Sequence, residues 1–229
     1  MKPASFYFYE ARLVSGISGL LPCLGLPGYA ILSRLLWGWH DLLSPASVRI
    51  TFGIILPLAA GLSAAHLMGI EVEEGFDELC RSYPEPRLSL PLRRSAAALV
   101  FLLLALILGA VGFWCVWRPL NFTLVPVVLP AIAPAVFLCG LSLLIGGLSH
   151  SYWAAAGVVM GWWFFEVQTR GLITGALFLF HGVWPQANIA AELNQALLFG
   201  FGGVLFLLNA IVYVFRGEWS ARRHTFGTG

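Results

Sequence analysis

Long apolar stretches separated by short polar breaks run the length of this chain. A helix that crosses a bilayer needs about 20 mostly apolar residues. Six stretches approach or exceed that length: 13–36, 49–70, 95–117, 122–148, 152–166 and 196–215. The pattern predicts an all-α integral membrane protein, a single domain over 1–229 with six transmembrane helices. Pro22 and Pro27 predict a kink in the first span, and Pro126, Pro130 and Pro134 an irregular first half of the fourth, because proline removes a helical N–H and clashes with the preceding turn. Phe6, Tyr7, Phe8 and Tyr9, next to Glu10 and Arg12, suit a segment at the membrane interface. Those charges come before any apolar run is established, so the first span reads as an uncleaved anchor rather than a signal peptide.

Residues 171–194 need separate treatment. The apolar run from Leu172 to Trp184 covers 13 residues, too short for a full span and suited to a re-entrant segment. Charge decides the topology. With six spans, Lys2, Arg12, Arg81, Arg87, Arg93, Arg94, Arg216, Arg222 and Arg223 share one side, and Arg34, Arg49, Arg118 and Arg170 the other. The positive-inside rule then puts both termini in the cytoplasm. A seventh span at 172–184 would move three arginines across and erase most of the bias. The expectation is an external re-entrant hairpin at 171–194, turned at Pro185, with His181, Trp184, Gln186, Asn188 and Glu192 as its polar content.

Composition agrees with this class. The chain is 59% hydrophobic and 10% charged, against about a quarter charged in soluble domains. Its basic residues are scattered, so lipid is an expected partner and nucleic acid is not. Twelve of the 13 basic residues are Arg, a bias suggesting a GC-rich bacterial genome and hence a bacterial cytoplasmic membrane. Cys23, Cys80, Cys115 and Cys139 form no paired motif and read as small hydrophobes. No HExxH or carboxylate-rich span points to a metal.

Against this background residues 71–87, EVEEGFDELCRSYPEPR, stand out, with six of the chain's 11 acidic residues. Val72, Phe76, Leu79, Cys80 and Tyr83 fall at helical spacing. Glu71, Glu73, Glu74, Asp77, Glu78 and Arg81 take the opposite face, with the acidic residues early, where the helix dipole favours them. Pro84 and Pro86 stop the helix. The spacing predicts a cytoplasmic amphipathic helix over 71–83. Its acidic face suits a negative leaflet poorly and a basic protein groove well. The plainer alternative is a solvated loop helix with no partner.

Glu74-Gly75-Phe76-Asp77-Glu78-Leu79 and Ser82-Tyr83-Pro84-Glu85-Pro86-Arg87 resemble the cytoplasmic segment between the second and third spans of ABC-2 type transporter permeases, of the form E-x-G-T-x-E-L-L-x-x-x-P-x-x-R. Gly75, Glu78, Leu79, Pro84 and Arg87 match in spacing. Phe76 replaces the usual Thr, and Cys80-Arg81 replace apolar residues. The six spans and the hairpin before the last one extend the likeness over nearly the whole chain. The resemblance implies that the segment is a coupling helix, with Glu74, Gly75, Phe76, Glu78, Leu79, Tyr83, Pro84 and Arg87 meeting a cytoplasmic ABC ATPase subunit. It also implies a second permease subunit, identical or related, and export by alternating access. Shared architecture leaves the cargo open; the apolar spans favour a hydrophobic or amphipathic one, lipid-linked, peptide or drug-like.

The chain carries no P-loop, since its single Lys is Lys2 and the motif needs a Lys on the phosphates. ATP and Mg are therefore expected on the partner ATPase, with no cofactor and no catalytic residue here. Gly16-Ile17-Ser18-Gly19 matches the GxSG of rhomboid-like intramembrane proteases, but its place in the first span is wrong for that family, and small residues in such a helix serve packing. Glu166 and Arg170, at i,i+4 spacing after four aromatic residues, read as a helix-end ion pair, or, with His181, as the outer mouth of a translocation path. His66 reads as a packing residue. The alternative class is an ATP-independent polytopic protein, a secondary carrier or membrane scaffold.

Overall fold

The computed structural model describes residues 16–37, 44–73, 88–117 and 123–226. Among these, every regular element is helical: α1 (Ile17–Leu20), a 3-10 turn (Leu21–Leu24), α2 (Gly25–Trp37), α3 (Pro45–Glu73), α4 (Ser89–Val116), α5 (Val125–Val128), a second 3-10 turn (Leu129–Ala131), α6 (Ile132–Ser149), α7 (Tyr152–Thr169), a third 3-10 turn (Gly175–Leu177) and α8 (Ala191–Phe226). By length and composition, four stretches can cross a membrane: Pro45–Leu67, Ser89–Val116, Val125–Ser149 and Ala191–Phe215. They make the chain an integral membrane protein. Leu21–Leu36 is a shorter apolar helix, and α7 has 18 residues.

Proline explains where the helices break. Pro22 sits in the 3-10 turn between α1 and α2. Pro126 is in α5, Pro130 in the next 3-10 turn and Pro134 early in α6. Two of the expected boundaries move. Helix α4 opens at Ser89, so Arg93 and Arg94 lie within it, and Arg94 is buried. Pro91 is tolerated there because the first helical turn needs no intrahelical N–H donor. Helix α8 opens at Ala191, so 191–194 are helical rather than part of the hairpin.

Helix α6 is the axis of the bundle, packed against α3, α7 and α8, while α4 lies against α2 and α3. Glycine sets the closest approach, between α6 and α8. A Cβ on Gly140 would lie 2.8 Å from the Gly202 carbonyl oxygen and 3.0 Å from Leu205 Cβ. In lipid there is little hydrophobic gain from joining two helices, so such close backbone contact supplies van der Waals energy instead. The opposite face of α8, with Val204, Leu207 and Ile211, and that of α4, with Leu103, Ile107 and Val111, are exposed and meet acyl chains in a bilayer. A two-residue connection joins α6 to α7. His150 turns left-handed at φ 51°, and Ser151 caps α7 by accepting the Ala154 N–H at 3.3 Å.

Pro57 lies inside α3 and disrupts its backbone bonding there. One turn back, Trp163 of α7 donates its indole N–H to the Ile54 carbonyl at 2.9 Å. Neighbouring side chains of this kind let membrane helices tolerate proline. The indole N–H of Trp162, by contrast, is buried without an acceptor. Trp163→Phe should therefore cost about 1 kcal/mol, and Trp162→Phe should be neutral or stabilising, as read by thermal unfolding in detergent.

Candidate functional site

The residues that carry the coupling-helix expectation, Glu74, Gly75, Phe76, Glu78, Leu79, Tyr83, Pro84 and Arg87, lie outside the described residues. One neighbouring boundary is visible. Helix α3 runs unbroken through Glu73, so 71–73 continue the second predicted span instead of opening a separate helix.

The structure does bring together the other group, Glu166, Arg170 and His181, around a folded loop at 170–190. This loop consists of hydrogen-bonded turns and one 3-10 turn rather than two helical arms. It starts where α7 ends. Arg170 adopts φ 48° and donates its N–H to the Glu166 carbonyl at 3.0 Å, and Gly171 follows at φ 77°. A side chain at 171 would be strained at that angle. It would also overlap Phe178 and the Gln186 amide. Gln186 Nε2 closes the turn by donating to the Arg170 carbonyl at 2.8 Å.

The expected ion pair between Glu166 and Arg170 does not form. The left-handed turn takes Arg170 off the helix face, and its guanidinium lies 5.7 Å from the centre of the Trp184 ring. Glu166 is fully buried. Its Oε2 accepts from Thr174 Oγ1 at 3.1 Å, and its Oε1 has no hydrogen-bond partner. A buried carboxylate with spare acceptor capacity can hold a proton or receive a donor. His181 is 4% exposed, and its Nε2 lies 3.1 Å from the Ile189 carbonyl, so it ties the two halves of the loop together.

Two anchors escape a reading by composition. Thr174 is the partner of Glu166. Asn194, 3% exposed, donates from one amide nitrogen to the carbonyls of Ala176 at 2.8 Å and Phe178 at 2.9 Å. The signal for Asn194 was a lone amide beside the apolar run of the last helix. Below the loop, Phe178, Phe180, Trp163 and Trp184 stack edge to face, with ring centres 5.9–6.2 Å apart, a favoured aromatic geometry. Leu179 and Phe180 join Phe137, Leu138, Val159 and Leu198 in one buried cluster. The loop is thus a packed plug on α6, α7 and α8. Among the described residues no three His, Cys, Asp or Glu gather as metal ligands.

Comparison with protein-family models, with curated proteins and with solved structures finds no match to this chain.

Proposed function

We propose that this chain is the transmembrane permease subunit of an ATP-driven transporter of the ABC-2 type, exporting a hydrophobic or amphipathic substrate by alternating access. The observation that carries the proposal is the sequence of residues 74–87, in which Gly75, Glu78, Leu79, Pro84 and Arg87 match the spacing of the family's cytoplasmic segment between two apolar stretches. In this reading the membrane is the bacterial cytoplasmic membrane, with six spans and both termini cytoplasmic. The 170–190 loop faces outward, and a second permease subunit completes the pathway. Two cytoplasmic ATPases bind the coupling residues and hold ATP and Mg, so this chain is not itself an enzyme. The four long apolar helices and the packed loop before the last of them support that architecture.

The double variant Glu74→Lys with Glu78→Lys should weaken association with a P-loop ATPase at least ~10-fold, because like charges would face a basic groove. Co-purification and ATP hydrolysis in reconstituted vesicles measure this. Unchanged binding and hydrolysis would refute the coupling role. One observation favours a second reading as an ATP-independent carrier: Glu166 is a buried carboxylate with one oxygen unpartnered, and ionisable groups within spans mark proton paths. Transport without any ATPase, abolished by Glu166→Gln, would select that reading.

A further inference from the structure

The 170–190 loop does not rest on top of the bundle; it is sunk between the spans. A Cβ on Gly53 would overlap Val183 of the loop. Gly53 lies roughly 12 Å along α3 from its first residue, Pro45, at the helical rise per residue. A Cβ on Gly182 would lie 3.0 Å from Pro130 Cβ, and Pro130 is roughly 8 Å inside the start of the Val125–Ser149 stretch. Helix α7 explains this depth. It returns along α6 after a two-residue turn and has 18 residues, about 27 Å of helix. The Val125–Ser149 stretch beside it has 25 residues, and a hydrocarbon core is about 30 Å thick. Helix α7 therefore ends near the edge of the core, and the turn that follows it starts there.

At that level the turn points two large apolar side chains away from the protein. Leu172 is 89% exposed and Ile173 is 72% exposed. Their backbone is braced on both sides. The Leu172 N–H donates to the Thr169 carbonyl at 3.0 Å, the Gly175 N–H donates to the Gly171 carbonyl at 2.9 Å, and Thr174 is tied to the buried Glu166. Leu129, next to Pro130, and Ile50, one turn before Gly53, also expose apolar side chains, so the apolar surface at this level continues beyond the loop. Arg170, directly before the pair, lies over the Trp184 ring. Trp belongs at the head-group level, and a long Arg side chain reaches that level from an apolar surround.

We propose that Leu172 and Ile173 form an apolar wedge inserted among the acyl chains of the leaflet at this end of the bundle. Lipid, and not water or another protein, is then the partner of the loop's outer surface. The wedge holds the turn from outside while Thr174 and Phe178 hold it from inside. This interaction requires only that the chain be an integral membrane protein; it does not rest on the transporter reading.

The test uses the full wild-type chain in phosphatidylcholine nanodiscs, part of whose lipid carries a photoactivated diazirine on its acyl chain. Peptide mapping by mass spectrometry should find lipid adducts on Leu172 and Ile173 and none on Asn188, an exposed polar residue of the same loop. Hydroxyl-radical oxidation of Leu172 and Ile173 should be several-fold lower than in the same peptide after digestion. Oxidation as in the free peptide, without adducts, would place the pair in water and overturn the wedge. Neither adducts nor oxidation would mean that another protein chain covers it, which also overturns it. A variant supplies the second measurement. Ile173→Asp puts a charge at the core boundary, where it is costly, and should speed amide exchange across Leu172–Phe178 at least about tenfold in nanodiscs, the response to about 1.4 kcal/mol. Asn188→Asp should leave that exchange unchanged. If Ile173→Asp also leaves it unchanged, as expected for a surface substitution in water, the wedge is refuted.

Discussion

Gly140→Val should force α6 and α8 apart and destabilise the protein by about 3 kcal/mol or more, the upper end of overpacking costs. The reason lies in what the new side chain would meet. Its Cβ alone would sit 2.8 Å from the Gly202 carbonyl oxygen. A side chain in the way could rotate; a helical carbonyl cannot without breaking its own ladder. Movement of α8 would also disturb Gly202, where a Cβ would lie 3.2 Å from Phe137 backbone atoms, so the strain spreads along the crossing. Gly200→Val, on the outward face of α8 with nothing within 4 Å of its Cβ, makes the same chemical change in the other helix of the crossing and should shift stability by less than about 0.5 kcal/mol. Thermal unfolding of both variants in one detergent separates packing from helix propensity. Equal shifts would show that the α6–α8 crossing is not glycine-limited.

How much could be read from the chain alone follows from which signals are local. Apolar length is local, and four of the six expected stretches form helices long and apolar enough to cross a membrane, because each needs only its own residues to satisfy its backbone in lipid. Pro22, Pro126 and Pro130 marked real interruptions because proline acts within one turn, whereas Pro134 is accommodated in the first turn of α6. The ends of helices were less legible. A third span starting at 95 left Arg93 and Arg94 outside it, yet α4 opens four residues before Arg93 and buries Arg94, since partners elsewhere in the bundle decide whether an arginine is covered. The site shows the same division. Glu166, His181 and Gln186 could be picked out as polar residues in an oily context. Their partners could not, because Thr174, Ile189 and the Arg170 carbonyl are chosen by the left-handed turn at Arg170 and Gly171. The same turn defeats the i,i+4 pairing of Glu166 with Arg170, a rule that holds only while the helix continues.

Asn194→Ala should release the 170–190 loop while leaving most of the bundle intact. One buried amide nitrogen serves the carbonyls of Ala176 and Phe178 at 2.8 and 2.9 Å. Alanine leaves both carbonyls without that donor, and each unsatisfied buried group costs about 1–3 kcal/mol. The sum, about 2–6 kcal/mol, should appear mainly as local opening, because the loop's remaining side-chain hydrogen bonds are few: Thr174 to Glu166, Gln186 to the Arg170 carbonyl and His181 to the Ile189 carbonyl. Amide exchange across Phe178–His181 should accelerate about 100-fold or more, since 2.8 kcal/mol is two decades in an equilibrium, whereas exchange within α3 and α6 should change little. Asn194→Asp is the sharper variant. It keeps the size and one acceptor oxygen but replaces the donor with a second acceptor facing two carbonyls, so it should open the loop at least as far as alanine does. Asn188→Ala, at an exposed position in the same loop, should do nothing measurable. A variant that exchanges like the wild type would mean that packing of Phe178, Leu179 and Phe180, and not the Asn194 amide, fixes the loop.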